Sequence, residues 1–263
     1  MQTILHNTAT LRFATFLSPL LYPTYEHIAS YIGAKVDCPT SLHVGQSFEE
    51  FAEGQADVAF MCGLPYARMA DEPACPIELL AAPVLEGQRY QRKPIYFSDV
   101  IVRSDSPYTS FDDLRGCAWA YNERASHSGC NLVCYSLLEQ GKAPAYFGKT
   151  IKSGSHLRSL EMVLKGQADA SAIDSHVLDL LRSRDQEVAA QLRVIATLGP
   201  STIPPVVAAK RLDPDLKRNI QQALVTMHHN PQAACNLHEG LIERFAIITG
   251  EAYNDLRRMR TRV

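Results

Sequence analysis

The stretch Asn122-Glu123-Arg124-Ala125-Ser126-His127-Ser128-Gly129 concentrates side chains that can hold an anion with little positive charge of their own. It follows the apolar run at 117–121 and precedes an amphipathic run at 131–140. That order reads as strand, hydroxyl-rich turn, helix. The first backbone N–H groups of a helix lack internal partners, and the helix dipole makes that end positive. Serine hydroxyls there add donors, so the turn is suited to a small oxyanion. An ordinary serine N-cap is the alternative that the same residues allow. A second candidate is Ser153-Gly154-Ser155-His156, which opens a predicted helix in the same way, with Arg158 one turn on. Asp174 ends a predicted buried strand, where α/β proteins place either ligand groups or helix caps.

Bulk properties narrow the function. The 263 residues carry a formal net charge of −2 and are 46% hydrophobic, enough for a sizeable core and with no basic field to draw in nucleic acid or an anionic membrane. Seven cysteines form no CxxC pair and no His/Cys ligand spacing, so neither a metal nor a cofactor is expected. No apolar run approaches the roughly 20 residues that span a bilayer, so no membrane insertion is expected. The first residues lack a basic segment followed by an apolar one. The expectation is a cytoplasmic protein as the sequence stands, or a periplasmic one if a leader has been trimmed.

Elements that could position these residues alternate along the chain. Strands are predicted at 11–16, 35–42, 56–62, 95–102, 117–121, 150–152 and 168–173. Helices are predicted at 22–32, ending at Gly33, and at 48–53, 129–141 and 156–165. Alternation of this kind indicates an α/β architecture with parallel sheets. Glu53-Gly54-Gln55-Ala56-Asp57 echoes Lys165-Gly166-Gln167-Ala168-Asp169 about a hundred residues later, which suggests two similar lobes. From Asp213 onward the chain reads as mostly helical, with no strand of its own to cover.

In order and spacing, several segments resemble the phosphonate, phosphate and phosphite substrate-binding proteins of ABC transporters. They are the strand at 54–60, Ile95-Tyr96-Phe97-Ser98-Asp99-Val100-Ile101-Val102, the segment at 111–116, Ser126-His127-Ser128-Gly129, Gly154-Ser155-His156, Gly166-Gln167-Ala168-Asp169, and Leu192-Arg193-Val194-Ile195 with Ile203-Pro204. The resemblance implies the type 2 periplasmic binding protein fold: two α/β lobes, each a mainly parallel sheet flanked by helices, joined by two crossover strands. One lobe would comprise 1–97 with 202–263, the other 98–201.

It also implies a ligand site. Ser126, Ser128 and Gly129 match the family's anion loop, with His127 in place of a threonine. His156 matches an oxyanion-binding histidine with Ser155 inserted before it, and Tyr96 matches a hinge tyrosine. The tyrosine that many members place after the second strand is absent; Gln46, Ser47 and Phe48 occupy that region, and Tyr22 or Tyr66 could compensate. The two acidic residues that hold the ammonium group of aminoalkylphosphonates are not matched; the first falls at His176, near Asp174, and the second in Ile203-Pro204-Pro205. An ammonium without its carboxylate is costly in a closed cleft, so 2-aminoethylphosphonate is not the expected preferred ligand. The function implied is non-enzymatic binding of a small anion by hinge closure, with an ABC permease as partner if the protein is exported. The alternative is an enzyme on the same fold, like those of thiamine-pyrimidine or menaquinone biosynthesis, with His127, His156 and His176 as acid–base groups.

Overall fold

The computed structural model describes residues 10–142 and 145–263; residues 1–9, expected in the first lobe, lie outside the described residues. The chain opens with β1 (Leu11–Thr15), α1 (Tyr22–Val36), β2 (Thr40–Val44), β3 (Val58–Phe60), α2 (Gly63–Ala70) and β4 (Ile77–Leu85). It continues through β5 (Ile95–Arg103), β6 (Ala118–Tyr121), α3 (Leu132–Glu139), β7 (Lys149–Lys152), α4 (His156–Leu164), β8 (Ala170–Asp174), α5 (Ser175–Arg184), α6 (Gln186–Ala190) and β9 (Leu192–Thr202). It then returns with β10 (Val206–Ala209), α7 (Pro214–Thr226), α8 (Pro231–Glu239), β11 (Ile242–Ala246) and α9 (Asn254–Arg260).

These strands form two sheets, ordered β11-β4-β10-β3-β1-β2 and β7-β6-β8-β5-β9. The first sheet therefore draws on both ends of the chain and the second on its middle. The expectation of mainly parallel sheets needs correcting, because both are mixed. Parallel pairing is confined to β1 with β2 and β3, and to β6 with β7 and β8. The segments that carry the chain between sheets pair antiparallel: β5 lies along β9, and β10 between β3 and β4. β5 carries the chain out to the second sheet and β9 leads it back, so side by side they run in opposite directions, whereas parallel neighbours such as β1 and β2 are joined by a helical crossover.

Three local expectations also change. α1 runs through Gly33 to Val36 and stops at Asp37, which adopts a left-handed conformation at φ 52°. Gly33 is there for close packing, since a Cβ would lie 2.6 Å from the Thr40 side chain. The C-terminal part is not purely helical: β11 pairs antiparallel with β4 and extends the first sheet. α3 is preceded by one wide π-turn, His127–Asn131, in which Asn131 N–H reaches the Ser126 carbonyl. Such turns are rare and occur often at functional positions.

The echo is structural. Gly54 and Gly166 both take left-handed φ values, 72° and 67°. In both copies the next two N–H groups return to one carbonyl, Glu50 in the first and Met162 in the second. Asp57 then accepts from Arg12 N–H at 2.9 Å, and Asp169 from Ala118 N–H at 2.7 Å, so each carboxylate clips its strand to the start of its parallel neighbour. The surroundings differ. Asp57 is buried and holds the guanidinium groups of Arg12 and Arg211, which keep its pKa below the usual carboxylate range despite desolvation. Asp169 is exposed.

Several polar contacts tie the middle of the chain to the first sheet's helices. His176 Nε2 donates to the Gly240 carbonyl at 2.6 Å, Arg184 donates to the Leu20 carbonyl at 2.9 Å, and Tyr90 donates to Asp179 at 2.6 Å.

Removing the clip should cost unequally in the two lobes. Asp57→Ala leaves two guanidinium groups without their partner and should destabilise by about 2 kcal/mol, below the range for fully buried pairs because both arginines are partly exposed. Asp169→Ala should cost less than about 1 kcal/mol, one exposed hydrogen bond. Urea unfolding midpoints of the two variants check the order; equal losses would contradict it.

Candidate functional site: a cleft at the strand ends

In each sheet the parallel strands end on a common edge, and the loops that leave them build one cleft. From the second sheet come the loops after β6, β7 and β8, carrying Asn122, Ser126 and Ser128, then Gly154, Ser155 and His156, then Asp174. From the first sheet come the loops after β1, β2 and β3, carrying Phe16 and Leu17, then Gly45 to Phe48, then Cys62 and Pro65. The carboxyl ends of parallel strands are where α/β folds place ligands, because helix N-termini open there. The cleft has a volume of about 620 Å³. Among the described residues no lysine or arginine lines it.

Three of the loops end in a side-chain helix cap. Ser126 Oγ accepts from Gly129 N–H at 3.1 Å, Ser155 Oγ from Arg158 N–H at 3.1 Å, and Asp174 Oδ1 from His176 N–H at 2.8 Å. All three also line the cleft. Capping and ligand contact are thus compatible roles: a serine oxygen that accepts at the cap keeps its own O–H to donate.

Ser128 and His156 join two of these loops. Ser128 Oγ lies 3.1 Å from His156 Nε2, and the Ser128 carbonyl accepts from Ser98 Oγ at 2.6 Å. The Asn122 amide nitrogen reaches the same His156 nitrogen at 3.3 Å, and its oxygen, like His156 Nδ1, is buried without a partner. The Asn122 amide rests on Gly129, where a Cβ would come within 1.9 Å of its oxygen. Burial lowers the His156 pKa to about 4, against the opposing influence of the Ala172 carbonyl, so the imidazole is neutral near pH 7. Burial raises the Asp174 carboxyl to about 7, although the N–H groups of His176 and Val177 favour its ionised form.

Of the expected site residues, Ser126, Ser128, Ser155, His156 and Asp174 come together at the cleft and the others do not. His127 is fully buried; it accepts from the Asn131 amide at Nδ1 (3.1 Å), so Nε2–H donates to Ser201 at 2.9 Å. Burial drives its pKa down to about 3. The π-turn rotates it away from the face that Ser126 and Ser128 share. Gly129 is buried and its N–H is taken by the Ser126 cap. Tyr96 is buried beside His127 and packs behind Ser128, and its pKa is pushed up by burial. Neither candidate for the missing tyrosine reaches the cleft: Tyr22 donates to the Leu42 carbonyl at 2.9 Å, and the Tyr66 ring packs on Tyr253. Arg158 pairs with Glu161 on the exposed face of α4.

Sequence reasoning missed Tyr25, Phe16 and Cys62. Tyr25 lines the cleft one turn beyond Tyr22, its ring stacked on Phe60 at 4.0 Å. The spacing of Tyr22 and Tyr25 puts both near one face of α1, and only the angle at which α1 packs chooses between them. Cys62 lines the cleft with its pKa raised by burial, against backbone N–H groups that pull it down.

Residues 14–253 match the family model described as the phosphonate periplasmic substrate-binding protein of ABC transporters. The chain belongs to that family. Its fold is that of a binding-protein component of an ABC phosphonate transporter from Pseudomonas aeruginosa (TM-score 0.84, 17% identity, covering 97% of this chain and 86% of that one). PhnD1 from Prochlorococcus marinus, solved in complex with methylphosphonate, is similar (TM-score 0.83, 14% identity, 97% and 98% covered). So is a protein from Xanthomonas citri bound to ATP (TM-score 0.72, 18% identity, 97% and 99% covered). This phosphonate-binding family member is thus a type 2 periplasmic binding protein in fold and a non-enzymatic transporter component in function. Such proteins bind small ligands and work with an ABC permease, and the family is periplasmic. Among the described residues no helix is long and apolar enough to cross a membrane.

The buried imidazoles set a pH dependence of stability. His127, His156 and His176 all have folded pKa values lowered by burial, to about 3, 4 and 4. Below the ordinary value of 6.5 the unfolded chain takes up these protons first, so stability falls as pH drops through 6.5 toward 4. Asp174 acts in the opposite sense, because between pH 3.8 and about 7 the folded chain holds the extra proton. Asp179 and Asp255, also raised by burial, share the direction of Asp174, so the imidazoles are the groups that make the protein acid-sensitive between pH 7 and pH 5. His127→Gln should make the melting temperature at pH 5, relative to that at pH 7, higher than in the unaltered protein, which thermal melts at the two pH values read directly.

Proposed function

We propose that this chain captures a phosphonate or a related small oxyanion in the cleft, with the second lobe holding the anion and the first closing over it. The donors are the hydroxyls of Ser126, Ser128 and Ser155 and the Nδ1–H of His156, which is left without a partner because Nε2 accepts from the Asn122 amide. The observation that carries the reading is the convergence of three capped helix starts on one cleft that, among the described residues, no lysine or arginine lines. Fixed neutral dipoles are enough for an anion when several point at it, because they need no reorganisation and no counter-charge.

Asp174 fits this scheme as the polar group at the third strand end. With its carboxyl shifted to about 7, a substantial share is protonated at neutral pH and can donate to a ligand oxygen. Tyr96, His127 and Gly129 support the loop from behind. We further propose that the lobes are 1–97 with 202–263, and 98–201. The hinge then falls where β5 and β9 start and end together, at the pairs Ile95 with Thr202 and Tyr96 with Ser201. Ligand that touches both walls stabilises the closed state by the contacts it makes only there. Work with an ABC permease follows from the family, and location in the periplasm accords with it.

Calorimetric titration with methylphosphonate and inorganic phosphate tests the site. Ser128→Ala and His156→Ala should each weaken binding by about 1.5–3 kcal/mol, the usual worth of a hydrogen bond to a charged group. Because the two side chains touch, the double variant should lose less than the sum. Arg158→Ala should leave the dissociation constant unchanged. Retained affinity in the Ser128 and His156 variants would remove them from the site.

A further inference from the structure

The two walls of the cleft differ in chemistry. The second lobe contributes hydroxyls, an amide, two imidazoles and two carboxyls, whereas the first contributes mainly apolar and aromatic side chains, Phe16, Tyr25 and Phe48 among them, with Ser18, Gln46 and Ser47 as its polar members. The aromatic part of that wall is built, not incidental. The Phe16 and Phe48 rings lie 4.6 Å apart with their planes inclined by 46°. Gly45 makes room for the pair, because a Cβ there would come within 2.3 Å of the Phe16 ring. Tyr25 is braced from behind by its stack on Phe60, a core residue of β3. Among the described residues the carboxylates of the lining both belong to the second lobe: Asp174 ends β8 and Glu123 sits exposed in the loop after β6.

Size points the same way. A volume of about 620 Å³ holds on the order of twenty waters at about 30 Å³ each, far more than an anion the size of methylphosphonate displaces. A guest with apolar surface of its own removes that water and gives the first lobe something to grip. An ammonium-bearing substituent directed at this wall meets no carboxylate there, and an unpaired charge in a closed cleft is strongly disfavoured.

We propose that the preferred ligand is an organophosphonate with an uncharged aromatic substituent, its oxyanion on Ser126, Ser128 and His156 and its ring against Phe16, Phe48 and Tyr25. This rests on the oxyanion reading above and adds the class of substituent.

The test is calorimetric titration of the full chain at neutral pH with phosphate, methylphosphonate, 2-aminoethylphosphonate, phenylphosphonate and phenyl phosphate. Phenylphosphonate should bind at least tenfold tighter than methylphosphonate. Phe48→Ala should bring that ratio close to one, and Phe48→Leu, which keeps the apolar volume if the alanine variant folds poorly, should lower it by a smaller factor. Phenyl phosphate binding as tightly as phenylphosphonate also supports the ring contact and widens the headgroup to phosphoryl oxyanions. Methylphosphonate or phosphate binding as tightly as phenylphosphonate overturns the aromatic preference and leaves the oxyanion site standing. 2-Aminoethylphosphonate as the tightest ligand overturns it as well. Binding of none of the five overturns the oxyanion reading itself.

Discussion

Ser128 is gripped at both ends. Its carbonyl accepts from Ser98 on β5, and its hydroxyl meets His156 at the start of α4. This double hold locks the turn after β6 to the middle of its sheet and to the neighbouring loop. The hold sets the turn's position against β5 and α4, and an anion site made of neutral dipoles depends on position and direction above all. Much of the surrounding structure serves that constraint. The π-turn turns His127 into the core while leaving Ser126 and Ser128 on one face, and His127 in turn anchors the turn to β9 through Ser201. Asn122 packs flat on Gly129, which only a residue without a side chain permits.

The two lobes reuse one design for different ends. Each has a left-handed glycine, two N–H groups returning to a single carbonyl, and an aspartate that clips a buried strand to its parallel neighbour. Each opens the carboxyl ends of three parallel strands toward the same cleft. In the second lobe those ends carry serine, histidine and aspartate. In the first they carry phenylalanine, glycine and a cysteine, with Ser18, Gln46 and Ser47 between them. One half therefore offers mostly polar groups and the other mostly apolar surface. A clamshell gains from that division, since directional contacts hold the guest while the lobes are apart and water exclusion adds its share only on closure.

A site of this kind also explains the placement of titratable groups. The imidazoles of His127, His156 and His176 are all held neutral by burial, and Asp174 is held partly protonated. The exposed Glu123 is then the carboxylate of the lining that burial does not hold neutral. On the proposed oxyanion reading, recognition depends on hydrogen-bond geometry rather than on positive charge.

How much of this was legible beforehand follows physical lines. Local patterns determined most of the strands that end at the cleft, the caps Ser126 and Asp174, and the repeated helix-to-strand turn, because periodicity, glycine stops and cap chemistry act over a few residues; the second strand, expected at 35–42, lies at Thr40–Val44 because α1 runs on to Val36. The ordered motifs along the chain determined the family, and with it the two-lobed fold. Which way a side chain faces was decided only by tertiary packing. His127 turned inward because a wide turn and Ser201, 74 residues away, gave it a buried partner. Tyr25 rather than Tyr22 reached the cleft because of the angle at which α1 lies on β3. β11 escaped notice because a short strand at a sheet edge is specified by the neighbour it pairs with, and that neighbour, β4, lies some 160 residues earlier in the chain. Local sequence carries information about neighbours along the backbone; a cleft is made by neighbours across space, and those contacts exist only once both lobes are folded.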